Sequence, residues 1–276
     1  MGPLTPLTAG LASIIFAVAV VNIVNRAGVP NGSGRLSGRG KVLTFIVTFL
    51  VIFLVGAVVY FNTYYRATQE AVAFLDGNVN VKVAQDNGLT FYDGYGENAL
   101  YIFYPGASVD TAAYAPLLSN IAERGVDCVA VDMPLHMAML GRMKAAEVIE
   151  KYQYDEYYVG GHSLGGAMAE FFSSRYGMEN GLKGFVGLAA YGTEPLPAGF
   201  RYLSIIGSED KVINREGYDS AKELWPEGAV EYVIEGGNHS GFGLYGQQSG
   251  DGETALYGLE QIYITAMQTV DFIKEK

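Results

Sequence analysis

Three residues in the C-terminal half carry the side chains of nucleophilic chemistry: Ser163, Asp210 and His239. Ser163 stands in Tyr158-Val-Gly-Gly-His-Ser163-Leu-Gly-Gly166, where Gly161, Ser163 and Gly165 form G-x-S-x-G. That spacing suits a serine at the tip of a tight strand-to-helix turn, whose neighbours must be small for strand and helix to approach. A serine hydroxyl is a poor nucleophile until a base takes its proton, and the base needs an acid to orient it. Of the three histidines, His162 adjoins the serine and is expected to point its side chain elsewhere. His136 follows a predicted strand, and His239 lies in Glu235-Gly-Gly-Asn-His239-Ser-Gly-Phe-Gly243, just beyond the last one. Ligands meet an open α/β sheet in loops past its C-terminal strand ends, so His239 is the expected base. The acid is expected in the turn after a strand between Ser163 and His239. Ile205-Ile-Gly-Ser-Glu-Asp210 places Asp210 there, with Glu209 as its rival. The backbone N–H of Leu164, at a helix N-terminus, would face an oxyanion formed at the serine. The N–H of Ala107, in Tyr104-Pro-Gly-Ala107, is the second expected donor, with Gly106 allowing close approach of the backbone.

The elements that must position these groups alternate. Val79 to Ala84 and Leu89 to Tyr92, separated by Asp86-Asn-Gly88, read as a hairpin. Strands are expected at 99–104, 126–131, 157–159, 184–190, 202–206 and 230–234. Helices are expected at 110–124, 135–152 and 164–176. A last helix is read from Leu259, Ile262, Tyr263, Ala266, Val270 and Ile273 at helical spacing. Continuous apolar strands alternating with helices imply an α/β fold, a mostly parallel sheet covered on both faces.

The N-terminal quarter differs in composition. Leu4 to Val24 is nearly unbroken apolar sequence, and Val42 to Phe61 contains no charge. About 20 residues at roughly 1.5 Å each span a hydrocarbon core of about 30 Å, so both runs are read as transmembrane helices. A signal peptide is the rival reading of the first run, but Met1 to Gly10 lacks the basic residues that would open one. Between the runs, residues 25–41 carry Arg26, Arg35, Arg39 and Lys41 and no acidic residue, which places that loop in the cytoplasm. Residues 1–61 thus form a membrane hairpin and 62–78 a juxtamembrane linker. Residues 79–276 form a domain expected on the extracytoplasmic face; the opposite orientation is the alternative. The net charge of −11 argues against a nucleic-acid partner. The single cysteine, Cys128, has no internal partner for a disulfide and is read as core packing.

As a set, Phe103-Tyr-Pro-Gly-Ala107, Tyr114-Ala-Pro-Leu117, Val131-Asp-Met-Pro-Leu135, Gly160-Gly-His-Ser-Leu-Gly-Gly166, Gly207-Ser-Glu-Asp210 and Gly236-Gly-Asn-His239 resemble the α/β-hydrolase superfamily over residues of about 98–275. The nearest branch is close to the dienelactone hydrolases, of the α/β-hydrolase-fold-5 type. The resemblance implies a nucleophile, acid and base at Ser163, Asp210 and His239, with no metal or cofactor. Dienelactone hydrolases proper use a cysteine nucleophile, so their substrate is not implied here. Superfamily members often insert a cap domain after the strand that follows the elbow helix. Here Tyr191 to Arg201 is too short for one, which implies an open site. Its walls are then the 133–146 region and the 236–252 loop. Met133, Leu135, His136, Met137, Met139 and Met143 offer a pliable apolar wall or plain helix packing, and Phe242 and Tyr245 flank the acyl or alcohol pocket. The expected activity is hydrolysis of a small-molecule or lipid ester. An acyltransferase on the same residues and a non-catalytic binding protein on the same fold are the alternatives.

Overall fold

The computed structural model describes residues 38–96, 98–178 and 181–275. The chain divides after Tyr64 into two compact units. In the first, helix α1 spans Gly38–Asn62 and contains the second apolar run. Its side chains Phe45, Phe49, Phe53, Leu54 and Val58 are exposed. Among the described residues no helix is long and apolar enough to cross a membrane. The first apolar run, Leu4 to Val24, lies outside the described residues. The second unit begins at Tyr65, so most of the segment expected as a linker packs with the domain it precedes.

That second unit holds one eight-stranded sheet. Its strands are β1 (Lys82–Asp86), β2 (Leu89–Asp93), β3 (Ala99–Tyr104), β4 (Asp127–Val131), β5 (Glu156–His162), β6 (Leu182–Leu188), β7 (Arg201–Gly207) and β8 (Val230–Ile234), in the order β1-β2-β4-β3-β5-β6-β7-β8. The hairpin β1–β2 and the β2–β4 pair are antiparallel, and the rest are parallel. Alternate residues of β3 feed two cores. Tyr101 and Phe103 face α3 (Ala115–Glu123) and α7 (Glu260–Lys274). Leu100, Ile102 and Tyr104 face α4 (Ala145–Lys151) and α5 (Leu164–Tyr176). Two further helices are α2 (Gln69–Ala73) and α6 (Arg215–Ala221). The Arg201 guanidinium fastens α7 to the sheet, donating to Tyr158 Oη at 2.7 Å and to the Phe272 carbonyl.

Two expectations need correction. The helix expected over 135–152 is broken: short 3₁₀ turns at Pro134–His136 and Ala138–Leu140 precede α4, which is confined to Ala145–Lys151. Leu135 and His136 have φ of 55° and 54°, in the left-handed region that a continuous helix excludes. The helix expected over 110–124 opens as a 3₁₀ turn, Thr111–Tyr114, capped by the Asp110 carboxylate. Residues 189–200, between β6 and β7, form no helix or strand.

Glu170 ties the helix that carries the elbow to the sheet. It is buried on α5 and accepts from Tyr202 Oη at 3.1 Å. A Cβ at Gly192 would meet this carboxyl at 2.6 Å, so only glycine leaves it room. Burial pushes the Glu170 carboxyl up from 4.5 to about 7, against the smaller opposing effects of the Tyr202 and Gly192 bonds. With the folded value above the unfolded one, the folded chain holds the proton more tightly. Stability is expected to fall as pH rises from about 4.5 to about 7 and then level off. Thermal melts across that window check it, and Glu170→Gln is expected to flatten this part of the profile.

Candidate active site

The turn from β5 into α5 sets the position of the serine. Ser163 has φ 53° and ψ −126°, a conformation costing on the order of 1–3 kcal/mol for a residue with a side chain. Bonds on both sides hold it there. Its N–H donates to the Leu188 carbonyl at 2.9 Å, extending the β5–β6 pairing, and its carbonyl accepts the Ala167 N–H at 3.0 Å to open the helix. The glycines of G-x-S-x-G serve close approach. A Cβ on Gly161 would overlap the Tyr104 carbonyl, and one on Gly165 would overlap the carbonyls of Tyr104 and Pro105. The end of β3 is therefore pressed against the elbow.

Ala107 lies just beyond that contact. Among the described residues its N–H has no backbone acceptor, and Leu164, as the first residue of α5, has none within the helix. The intervening Gly106 donates its N–H to Tyr114 Oη at 3.2 Å, and Tyr114 Oη lies 2.8 Å from His162 Nδ1. Burial pushes the Tyr114 phenol up, so it stays neutral. A neutral phenol can accept from Gly106 and still share a hydrogen bond with His162 Nδ1, with either of the two as donor. Burial, and then the neighbouring His239, hold His162 well below the usual histidine range. His162 is thus a neutral structural ring beneath the turn rather than a second base. In the sequence Tyr114 stands within the expected 110–124 helix and in Tyr114-Ala-Pro-Leu117, and neither gives a signal for its hydroxyl.

The residues expected as base and acid lie within hydrogen-bond distance of each other. His239 Nδ1 lies 2.8 Å from Asp210 Oδ2, with both side chains almost fully buried. Asp210 Oδ1 accepts the N–H groups of Val212 and Ile213, each at 2.9 Å. Burial alone would raise the Asp210 carboxyl. The bond to His239, its charge and the two N–H groups outweigh burial and hold it below its ordinary value. An ionised Asp210 only accepts, so His239 Nδ1 carries the proton and Nε2 presents a lone pair. That Nε2 is buried with no hydrogen-bond partner among the described residues. The His239 ring lies 4.5 Å from that of His162, the residue immediately before Ser163. Glu209, the rival acid, instead accepts from Ser208 Oγ at 3.5 Å.

The sequence pattern of the alpha/beta hydrolase family matches residues 100–263. The chain belongs to the alpha/beta hydrolase family. No curated protein sequence matches it. Solved structures do: carboxyl esterase 2 from the mycorrhizal fungus Tuber melanosporum is 12% identical, with 76% of this chain and 91% of that one covered and a TM-score of 0.53. Dienelactone hydrolase from Anabaena variabilis is 12% identical, covering 70% and 97%, with a TM-score of 0.51. Mouse alpha/beta hydrolase domain-containing protein 10 is 10% identical, covering 70% and 98%, with a TM-score of 0.52. At these identities the likeness is one of fold.

Within this hydrolase fold, the wall residues expected from sequence divide. Phe242 is fully buried, and Met133 and Tyr245 are each 6% exposed. Phe242 and Tyr245 pack on the His162 ring, with centroids 5.5 and 6.4 Å away, and so form the floor beneath the site rather than its flanks. His136 is half-buried, and its carbonyl accepts the Ser108 N–H at 2.8 Å. Leu135, Met139, Leu140 and Met143 are exposed.

The hydrolase also uses residues that the sequence did not single out. Asp251 organises the histidine loop. Its Oδ1 accepts the His239 N–H at 3.2 Å, and its Oδ2 accepts from the N–H and Oγ of Ser240 at 2.8 and 2.6 Å. Gln261 of α7 brackets Asn238, accepting its N–H at 3.0 Å and donating to its carbonyl at 2.7 Å. A lone aspartate in a glycine-rich loop has no spacing that marks it. Because Asp251 acts on the backbone that carries the base, Asp251→Ala is expected to lower kcat by about 10–10², the cost typical of a displacement of about 1 Å, with little change in KM. Steady-state kinetics on an activated ester would check this.

Proposed function

We propose that this alpha/beta hydrolase is a membrane-anchored serine hydrolase that cleaves carboxylic esters through an acyl-enzyme. The observation that carries the reading is the buried Asp210–His239 pair, its Nε2 unpartnered beside the strained Ser163 turn. In this reading Ser163 Oγ attacks the ester carbonyl carbon while His239 Nε2 takes its proton. The N–H groups of Leu164 and Ala107 hold the resulting oxyanion. Collapse breaks the bond to the alkoxy oxygen, which leaves as the alcohol with the proton from His239. Water then attacks the acyl-enzyme, His239 again taking the proton, and the acid departs as Ser163 Oγ is reprotonated. Asp210 keeps the Nδ1 proton in place and supports the imidazolium between steps. Every group required belongs to the chain itself.

The anchor rests on the sequence. Val42 to Phe61 is uncharged, the preceding loop is basic, and the helix that contains this run exposes its apolar side chains. Placement beside a bilayer favours lipid, cell-envelope or exogenous esters as substrates, and the positive loop puts the hydrolase domain on the extracytoplasmic side. The structural neighbours include proteins named as a carboxyl esterase and a dienelactone hydrolase, which supports ester chemistry.

The deciding measurement is hydrolysis of p-nitrophenyl esters from acetyl to palmitoyl by the full chain and by Ser163→Ala. Turnover is expected to vanish with Ser163, a residue type whose loss costs about 10⁶ in a well-studied serine protease. Equal rates from the two chains would sink the reading. An inactive wild type that fluorophosphonate still labels at Ser163 would shift it to acyl transfer. For the topology, added protease is expected to cleave the C-terminal domain on intact cells; cleavage only after lysis would reverse it.

A further inference from the structure

The segment just after α1 in sequence is built into the rim of the candidate site. Tyr65 forms a parallel bridge with Val109: its N–H donates to the Ser108 carbonyl at 2.7 Å, and its carbonyl accepts the Asp110 N–H at 2.9 Å. Ser108 directly follows Ala107, and its own N–H is taken by the His136 carbonyl. Both peptide groups of Ser108 are therefore fixed from outside its loop. That fixing is needed, because Ser108 has φ 54°.

The same residue reaches the other loop. The Tyr65 ring lies 5.6 Å from that of Tyr245, and its hydroxyl accepts the Ser249 N–H at 3.1 Å. Slightly further on, the Thr68 N–H donates to the Leu244 carbonyl at 2.9 Å. This stretch is continuous with the base-bearing loop, since the Gln248 N–H donates to Ser240 Oγ at 2.8 Å and Ser240 is held by Asp251. The oxyanion loop leaves β3, whereas the histidine loop leaves β8, with β5, β6 and β7 between them. Their relative position has to be set above the sheet. A second link, from the Leu244 N–H to the Ala113 carbonyl at 2.8 Å, lies further along the chain from Ala107.

We propose that Tyr65 is a positioning residue of the active site, clamping the loop of Ala107 to the loop of His239. This rests on the serine hydrolase reading above. Its function is to keep the oxyanion donor and the base in register with Ser163, so its loss acts on turnover and not on ground-state binding.

The test uses the full chain, with Tyr65→Ala and Tyr65→Phe beside the wild type and p-nitrophenyl acetate as substrate. Active sites are titrated with a fluorophosphonate, so that kcat is counted per competent site and simple unfolding does not register. Tyr65→Ala is expected to lower kcat per site by about 10–10², with KM within about twofold. Tyr65→Phe keeps the ring and the backbone bonds and is expected to recover to within about threefold of wild type, since it loses one bond to an N–H. Should Tyr65→Ala give no titratable sites, Tyr65→Leu carries the same comparison. Wild-type kcat per site in the variant that folds, or an effect on KM alone, overturns the proposal and leaves the hydrolase reading intact. A wild type that the fluorophosphonate does not label removes both.

Discussion

The tight contact between the end of β3, the end of β5 and the start of α5 is the constraint from which the rest of the site follows. Three backbone segments meet there without intervening side chains, which is why Gly161 and Gly165 flank Ser163 and why a Cβ on either would overlap a β3 carbonyl. The serine between them is held at positive φ by bonds to β6 on one side and to the helix on the other. Neither bond would suffice alone against a conformational cost of about 1–3 kcal/mol. The strain persists because sheet pairing and helix initiation both demand the same turn. The same contact brings the Pro105–Ala107 backbone to the mouth of the helix, so one packing requirement places both the nucleophile and its expected oxyanion donors.

Electrostatics set two neighbouring histidines apart. His162 and His239 lie with ring centroids 4.5 Å apart, both buried. Two imidazolium ions at that distance would repel strongly in a medium drier than water. The environment separates them. His162 bonds a neutral phenol, and burial, then the neighbouring His239, keep it uncharged. His239 faces an aspartate that burial fails to neutralise, because the bond to His239 and, less strongly, two backbone N–H groups stabilise its charge. In the proposed reaction the proton therefore has one place to go. The phenol of Tyr114 does double duty, since it bonds His162 and also accepts from Gly106, fixing the loop before Ala107.

The readable parts of the sequence were those with a period or a fixed spacing. β3 and β8 fall where the apolar alternation puts them, and α5 follows the serine directly. Asp210 and His239 were legible because each follows a strand in a turn at the end of the sheet where such sites form. The illegible parts depend on contacts between distant residues. The 133–152 segment has helix-forming residues throughout, yet Pro134 and two left-handed residues break it into short turns, and its carbonyl at His136 serves the oxyanion loop instead. Phe242 and Tyr245 looked like pocket walls because they are aromatic and near the base. They are buried because the floor under His162 needs large rings. Nothing local to Tyr65 reveals its pairing with Val109.

The histidine loop shows how a glycine-rich stretch becomes a rigid one. Composition alone suggests mobility across 236–252, and among regular elements only a 3₁₀ turn at Ser240–Phe242 lies in it. Rigidity comes from side chains that replace the missing ladder. Asp251 collects the N–H groups of His239, Ser240 and Lys211, while Asn238 and Gln261 satisfy each other's backbone and amide groups. The glycines let those polar groups close in: a Cβ on Gly241 would overlap the Gln261 amide. Each such bond contributes only about 0.5–1.5 kcal/mol, but together they fix the backbone from which the base projects. The sheet positions the Ser163 turn, and this polar lattice positions His239. In the proposed arrangement Tyr65, at the start of the domain, ties the Ala107 loop to that lattice across the rim.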